Sequence, residues 1–112
     1  MPQTNDVTEK VLKFLGLAAK AGRTVSGVSL ICTALSRAAR DKTPQLLVLA
    51  CDASENSRKR ITDRAAYYGV PVCFPAIDCA MLAHVTGKRD GLTAAVGITE
   101  PHLAAAILAA LQ

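Results

Sequence analysis

The stretch from Leu46 to Arg60 constrains the fold more than any other part of the chain. Leu46-Leu47-Val48-Leu49-Ala50-Cys51 is apolar at every position, with no polar alternation. A strand of that kind is buried on both faces, so helices must lie above and below its sheet. The polar hinge Asp52-Ala53-Ser54-Glu55-Asn56 follows, and then the consecutive cations Arg58-Lys59-Arg60. Side-chain oxygens in the hinge can accept from the first N–H groups of a helix, which delivers a helix start beside the cations. The positive end of the helix dipole and the added charge suit a phosphate-bearing partner.

The flanking segments alternate between helix and strand patterns. Asp6 and Glu9 form a capping box, Val7, Val11, Leu15 and Ala18 recur at helical spacing, and Gly22 ends the helix. Thr24-Val25-Ser26 reads as a short extended link. Gly27 opens a second helix with Val28, Ile31, Leu35 and Ala38 on one face, Arg37 and Arg40 near its end, and Asp41-Lys42-Thr43-Pro44 as its break. The basic helix carries Ile61, Ala65 and Tyr68 inward and stops at Gly69. Val72 to Phe74 is extended, Asp78 caps a short helix ending at Gly87, Leu92 to Ile98 is extended again, and Thr99-Glu100-Pro101 announces the last helix. Short links between such elements predict one α/β domain over residues 1–112, a three-layer α/β/α sandwich. Strand order and direction do not follow from spacing.

Composition narrows the partner. The chain has 13 Lys+Arg against 9 Asp+Glu, a net charge of +4, and a pI near 9.1, a bias toward nucleic acid or another anionic surface. Its longest apolar run, Leu103 to Leu111, is far short of the ~20 residues that span a bilayer, and Met1 to Glu9 lacks the apolar core of a signal peptide. A cytoplasmic protein without membrane contact is expected. Cys32, Cys51, Cys73 and Cys79 contain no C-x-x-C pair and sit in or beside apolar segments, so they read as buried, reduced thiols, with no metal or cofactor expected. His84 and His102 are isolated from other ligand types. Between Gly22 and Ser29 the two glycines of a phosphate loop recur, but Val28 replaces the lysine and a helix precedes them. No nucleophile elbow or zinc-binding helix is present, so no enzyme is expected. Phe14, Phe74, Tyr67 and Tyr68 are the only aromatics, which disfavours a base-stacking platform and leaves folded RNA, read by helix ends and cations.

Three segments carry a family resemblance: Leu15-Gly16-Leu17-Ala18-Ala19-Lys20-Ala21-Gly22-Arg23-Thr24-Val25-Ser26-Gly27, Leu49-Ala50-Cys51-Asp52-Ala53-Ser54-Glu55-Asn56, and Tyr67-Tyr68-Gly69-Val70-Pro71. Their order and spacing resemble the kink-turn-binding ribosomal protein family of archaeal large-subunit protein "seven-Ae", especially its small bacterial YlxQ-like members. The resemblance implies a mixed four-stranded sheet, no catalysis, and binding of a sharply bent RNA internal loop in a ribosomal or regulatory ribonucleoprotein. In that family the start of the second helix carries a Lys-Gly-x-Asn-Glu pattern that meets sheared G·A pairs. Here those positions read Ser26-Gly27-Val28-Ser29-Leu30, so only the glycine matches. The resemblance also assigns Asp52-Ala53-Ser54 to a second RNA contact and Pro75-Ala76-Ile77 to a loop beneath an extruded nucleotide. Lys20, Arg23, Lys59 and Arg60 are phosphate candidates by charge.

A protein-interaction module on the same sandwich is the alternative, supported by the wholly apolar stretch 103–111. Leu103, Ile107, Leu108 and Leu111 can face the core and leave small alanines outside, which favours a monomer.

Overall fold

The computed structural model describes residues 6–37, 43–87 and 93–111, with the Asp6 side chain outside that set. Helix α1 (Asp6–Lys20) leads through strand β1 (Thr24–Ser26) into α2 (Val28–Arg37). Then come β2 (Leu46–Leu49), α3 (Glu55–Tyr68), β3 (Val72–Cys73), α4 (Cys79–Val85), β4 (Ala95–Ile98) and α5 (Pro101–Leu111). The sheet order is β1-β4-β2-β3; β4 is antiparallel to β1 and β2, and β2 is parallel to β3. Helices α2 and α3 pack together on one side, and α1 packs with α4 and α5 on the other. The fold is the expected α/β/α sandwich on a mixed sheet. Thr24-Val25-Ser26, read as a link, is one of its two edge strands.

Apolar pattern explains most of the core. All four residues of β2 and all four of β4 are buried, as central strands between two helical layers require. Val11, Leu15 and Ala18 of α1, Ile31 and Leu35 of α2, and Ile61 and Ala65 of α3 fill the spaces on either side. Gly22 and Gly69 follow α1 and α3 as expected; the N–H groups of Arg23 and Val70 donate back to Ala18 and Ala65 at 2.8 and 2.9 Å.

Several expectations are corrected. Val7 is exposed while its neighbour Thr8 is buried, so the packed face of α1 passes through Thr8 at that end. Tyr68 is 37 % exposed, because the two-residue edge strand β3 offers little surface beneath the last turn of α3. Cys51 is exposed, while Cys32 and Cys73 are buried and Cys79 is half-buried. The pairing of β2 with β4 ends at Leu49, so the apolar run leaves the sheet before Cys51. Phe74 lies just past β3. On α5, Ala104 and Ile107 are buried and Leu103, Leu108 and Leu111 are half-buried, with Ala105 and Ala109 exposed; the small Ala104 takes a place in the core that the leucines were expected to fill. The Asp6 cap and the assignments to Ala38, Arg40, Asp41, Lys42 and Leu92 lie outside the described residues and side chains. No helix among the described residues is long and apolar enough to cross a membrane.

Gly97 is a closely packed point of the sheet. It pairs with Val25 on one side and Leu47 on the other, and a Cβ there would stand 3.1 Å from Pro44 Cβ and 3.2 Å from Leu47 Cδ2. The proline ring therefore packs directly on the β4 backbone. Gly97→Val should cost about 1–3 kcal/mol through overpacking, read as a lower urea midpoint with an unchanged slope. An unchanged midpoint would contradict the close approach.

Candidate nucleic-acid interface

The topology gathers three helix starts at one end of the sandwich. With β4 antiparallel between β1 and β2, and β3 parallel to β2, the strands β1, β2 and β3 all run the same way. Their C-terminal ends lead into α2, α3 and α4. A chain of hydrogen bonds ties the intervening turns together. Gly27 N–H donates to Ala95 O at 3.0 Å, Ala50 N–H to Ala94 O at 2.8 Å, Cys51 N–H to Ile77 O at 2.8 Å, and Thr93 N–H to Cys79 O at 3.2 Å.

The three starts differ in how their orphan N–H groups are satisfied. Ser54 caps α3, its Oγ accepting from Ser57 N–H at 3.2 Å. Asp78 caps α4 by accepting from Met81 N–H at 2.8 Å. Asp52, expected to serve its own helix, reaches across to α4 instead, and its Oδ1 accepts from Cys79 N–H at 2.7 Å. Helix α2 has no such provision. Gly27 has no side chain, the first turn holds no acidic residue, and the Val28, Ser29 and Leu30 N–H groups find no acceptor among the described residues. The first backbone bond of the helix runs from Ile31 N–H to Gly27 O at 3.0 Å.

Gly27 adopts φ +97°, and a Cβ built there would meet no atom within 4 Å. The glycine is thus required by its backbone angle, not by crowding, and the space before it is open to a partner. Ser29 is exposed and Leu30 is 59 % exposed, while Ser26 is half-buried and pairs with Val96. At the same end of the sheet, after β2, are the exposed Asp52 and Ser54, with Ala53 buried between them.

The third loop is only partly available. Ile77 is 0 % exposed and Pro75 is buried, leaving Ala76 as the open member. The Ile77 side chain belongs to the core cluster, so its expected place beneath a nucleotide is corrected. Phe74, expected at the end of a strand, is 53 % exposed beside the same loop and adds an apolar surface there.

Two exposed cations stand just beyond the start of α3. Lys59 and Arg60 are exposed on the first turns of α3, and neither forms an ion pair among the described residues. Arg58, not singled out from the cation run, turns back so that its guanidinium stands 3.5 Å from Cys51 O. Helical phase contains the signal: Arg58 is three residues before Ile61 and seven before Ala65, on the inward stripe. Lys20 and Arg23 do not join the cluster. Arg23 O accepts from Thr99 N–H at the opposite end of β1, about 13 Å of extended chain from Gly27.

Hydrogen bonds with Cys79, through its side chain and then its backbone, hold the Asp52 carboxyl below its ordinary value. Burial, followed by the hydrogen bond to Asp52, pushes the Cys79 thiol up to about 11, so it stays protonated at neutral pH. Because the folded Asp52 pKa is lowered, the ionised contact is present at neutral pH and is lost only as pH falls through that lowered value. In an NMR titration the Cys79 amide shift should hold steady until the pH is below the ordinary Asp range. Asp52→Ala should speed exchange of the Cys79 amide; unchanged exchange would show that the contact does not tie the loops.

No protein-family model matches the chain. Over 80 residues it is 32% identical to the RNA-binding protein YlxQ of Enterococcus faecium, covering 71% of this chain and 73% of that protein. Over 84 residues it is 39% identical to the RNA-binding protein YlxQ of Bacillus subtilis (strain 168), covering 74% and 78%. Both relatives are named for RNA binding, not for catalysis. A Bacillus halodurans protein of unknown function shares the fold at a TM-score of 0.80 and 24% identity, covering 91% of this chain and 96% of that one. The Giardia lamblia 15.5kD RNA binding protein does so at 0.73 and 14%, covering 97% and 88%. Those two likenesses show the fold alone. With the YlxQ alignments spanning more than two thirds of each relative, the chain belongs to the YlxQ family.

Proposed function

We propose that this protein binds structured RNA without catalysis, at the end of the sandwich where α2, α3 and α4 begin. The reading extends to a kink-turn or related bent internal loop, in a cytoplasmic ribosomal or regulatory ribonucleoprotein. The observation that carries it is the open start of α2: Val28, Ser29 and Leu30 N–H groups with no acceptor among the described residues, behind a Gly27 with open space before it. Fixed backbone donors of this kind bind phosphate oxygens or base-edge acceptors, and the helix dipole favours negative charge there. The RNA-binding names of the YlxQ relatives point the same way. Lys59 and Arg60 supply phosphate contacts beside the opening. The protein-module alternative has less support, since the exposed residues of α5 include Ala105 and Ala109 while its leucines are half-buried.

Shape, not an extended base code, sets the preference, because Ser29 is short and Leu30 has no polar group to offer guanine edges. In mobility shifts at near-physiological salt, a kink-turn RNA should bind more tightly than a duplex of equal length. Equal affinities would sink the claim of shape recognition. Ser29→Asn with Leu30→Glu should tighten kink-turn binding by ~1–3 kcal/mol for each base contact restored; a folded double mutant with unchanged affinity would mean that this helix start does not face guanines.

Lys59→Glu with Arg60→Glu should weaken binding and reduce the slope of log affinity against log salt concentration by about one per lost phosphate contact. Both side chains are exposed, so the melting temperature should hardly move. Retained affinity with an unchanged salt slope would put the RNA elsewhere.

A further inference from the structure

We infer that the outer face of α3 carries a second RNA subsite, where Tyr67 stacks on an unpaired base of a strand leaving the kink-turn site. The inference rests on the RNA-binding reading above and adds a second class of nucleotide contact to it. Tyr67 is 81 % exposed, so a face of its ring is open to solvent. Its neighbour Tyr68 meets it edge to face, with ring centroids 4.9 Å apart and an interplanar angle of 84°, a geometry that favours a fixed ring orientation. The tyrosines, Asp63 and Arg64 line one shallow depression.

That depression continues the charged start of the helix. Arg60, Arg64 and then Tyr67 and Tyr68 follow at the spacing that aligns residues on one face of a helix. About 10 Å of helix separates Arg60 from Tyr67. Helix α3 carries the cations Arg58, Lys59, Arg60 and Arg64 against the acids Glu55 and Asp63, and none of the four cations is in an ion pair among the described residues. A strand held at Lys59 and Arg60 can therefore follow a positive face to the aromatic pair.

Asp63 decides what fits there. Its carboxylate repels a phosphate but accepts hydrogen bonds from the amino groups of a base. With Arg64 free to stack or to bind the adjoining phosphate, the depression suits a base on Tyr67 and the backbone outside it. The scarcity of aromatics in the sequence had argued against stacking, and Tyr68 had been expected inside; their joint exposure reverses that argument at this one place.

The test compares a minimal kink-turn RNA with the same RNA carrying a single-stranded tail of about six nucleotides, attached at each end in turn. One tailed RNA should bind about 5- to 150-fold more tightly than the minimal RNA, the range expected for stacking one base. Tyr67→Ala should abolish that gain without changing the affinity for minimal RNA, Tyr67→Phe should keep it, and an abasic tail should not provide it. Equal binding of tailed and minimal RNA by the unaltered protein would overturn the subsite, leave the kink-turn reading standing and turn the depression toward a protein partner. A gain that survives with the abasic tail would overturn stacking in favour of phosphate contacts. Failure of the minimal RNA itself to bind would remove the kink-turn reading and the subsite with it.

Discussion

Because β4 lies antiparallel between β1 and β2, the other three strands all release their chains at the same end of the sheet. Three helix N-termini converge there as a consequence of topology, before any side chain is considered. The arrangement depends on β4 fitting tightly, and Gly97 permits this by letting Pro44 and Leu47 pack where a Cβ would intrude. Burial of all four residues in each of β2 and β4 anchors that centre, so the end where the three helices begin rests on fully buried strands.

At that end, rigidity and availability are divided among the helices. The donors at the start of α3 and α4 are partly used by Ser54, Asp78 and Asp52. Asp52 also joins two loops that are distant in sequence, and its ionised form is the one that holds them at neutral pH. Among the described residues, nothing accepts from the first donors of helix α2, beside a glycine with free space before it. A partner approaching here meets preorganised N–H groups held by a braced frame, which limits the ordering cost of binding.

Local chemistry made much of the fold legible in the sequence. The uninterrupted apolar run marked β2, and the hinge oxygens and glycine stops marked the bounds of α3. What the sequence could not show was set by contacts across the fold. Asp52 finds its partner 27 residues away in α4, and a cap donated from another loop leaves no local pattern. Lys20 and Arg23 are near Gly27 in sequence, yet the extended β1 carries them to the other end. Ile77 and Tyr68 fail for opposite reasons: a loop residue turned into the core, and an inward helical position ran out of sheet to cover it. Even the resemblance leaves the base contacts at α2 altered, since Ser29 and Leu30 replace its polar pair.

RNA binding at the first donors of α2 is the central proposal. Its most direct test is an amide-resolved NMR titration with a minimal kink-turn RNA. The largest changes should fall on Val28, Ser29 and Leu30, with smaller ones at Asp52 and Ala76, while Arg23 and Thr99 at the far end of the sheet stay still. Changes centred on Arg23 and Thr99, with the α2 amides unmoved, would contradict it.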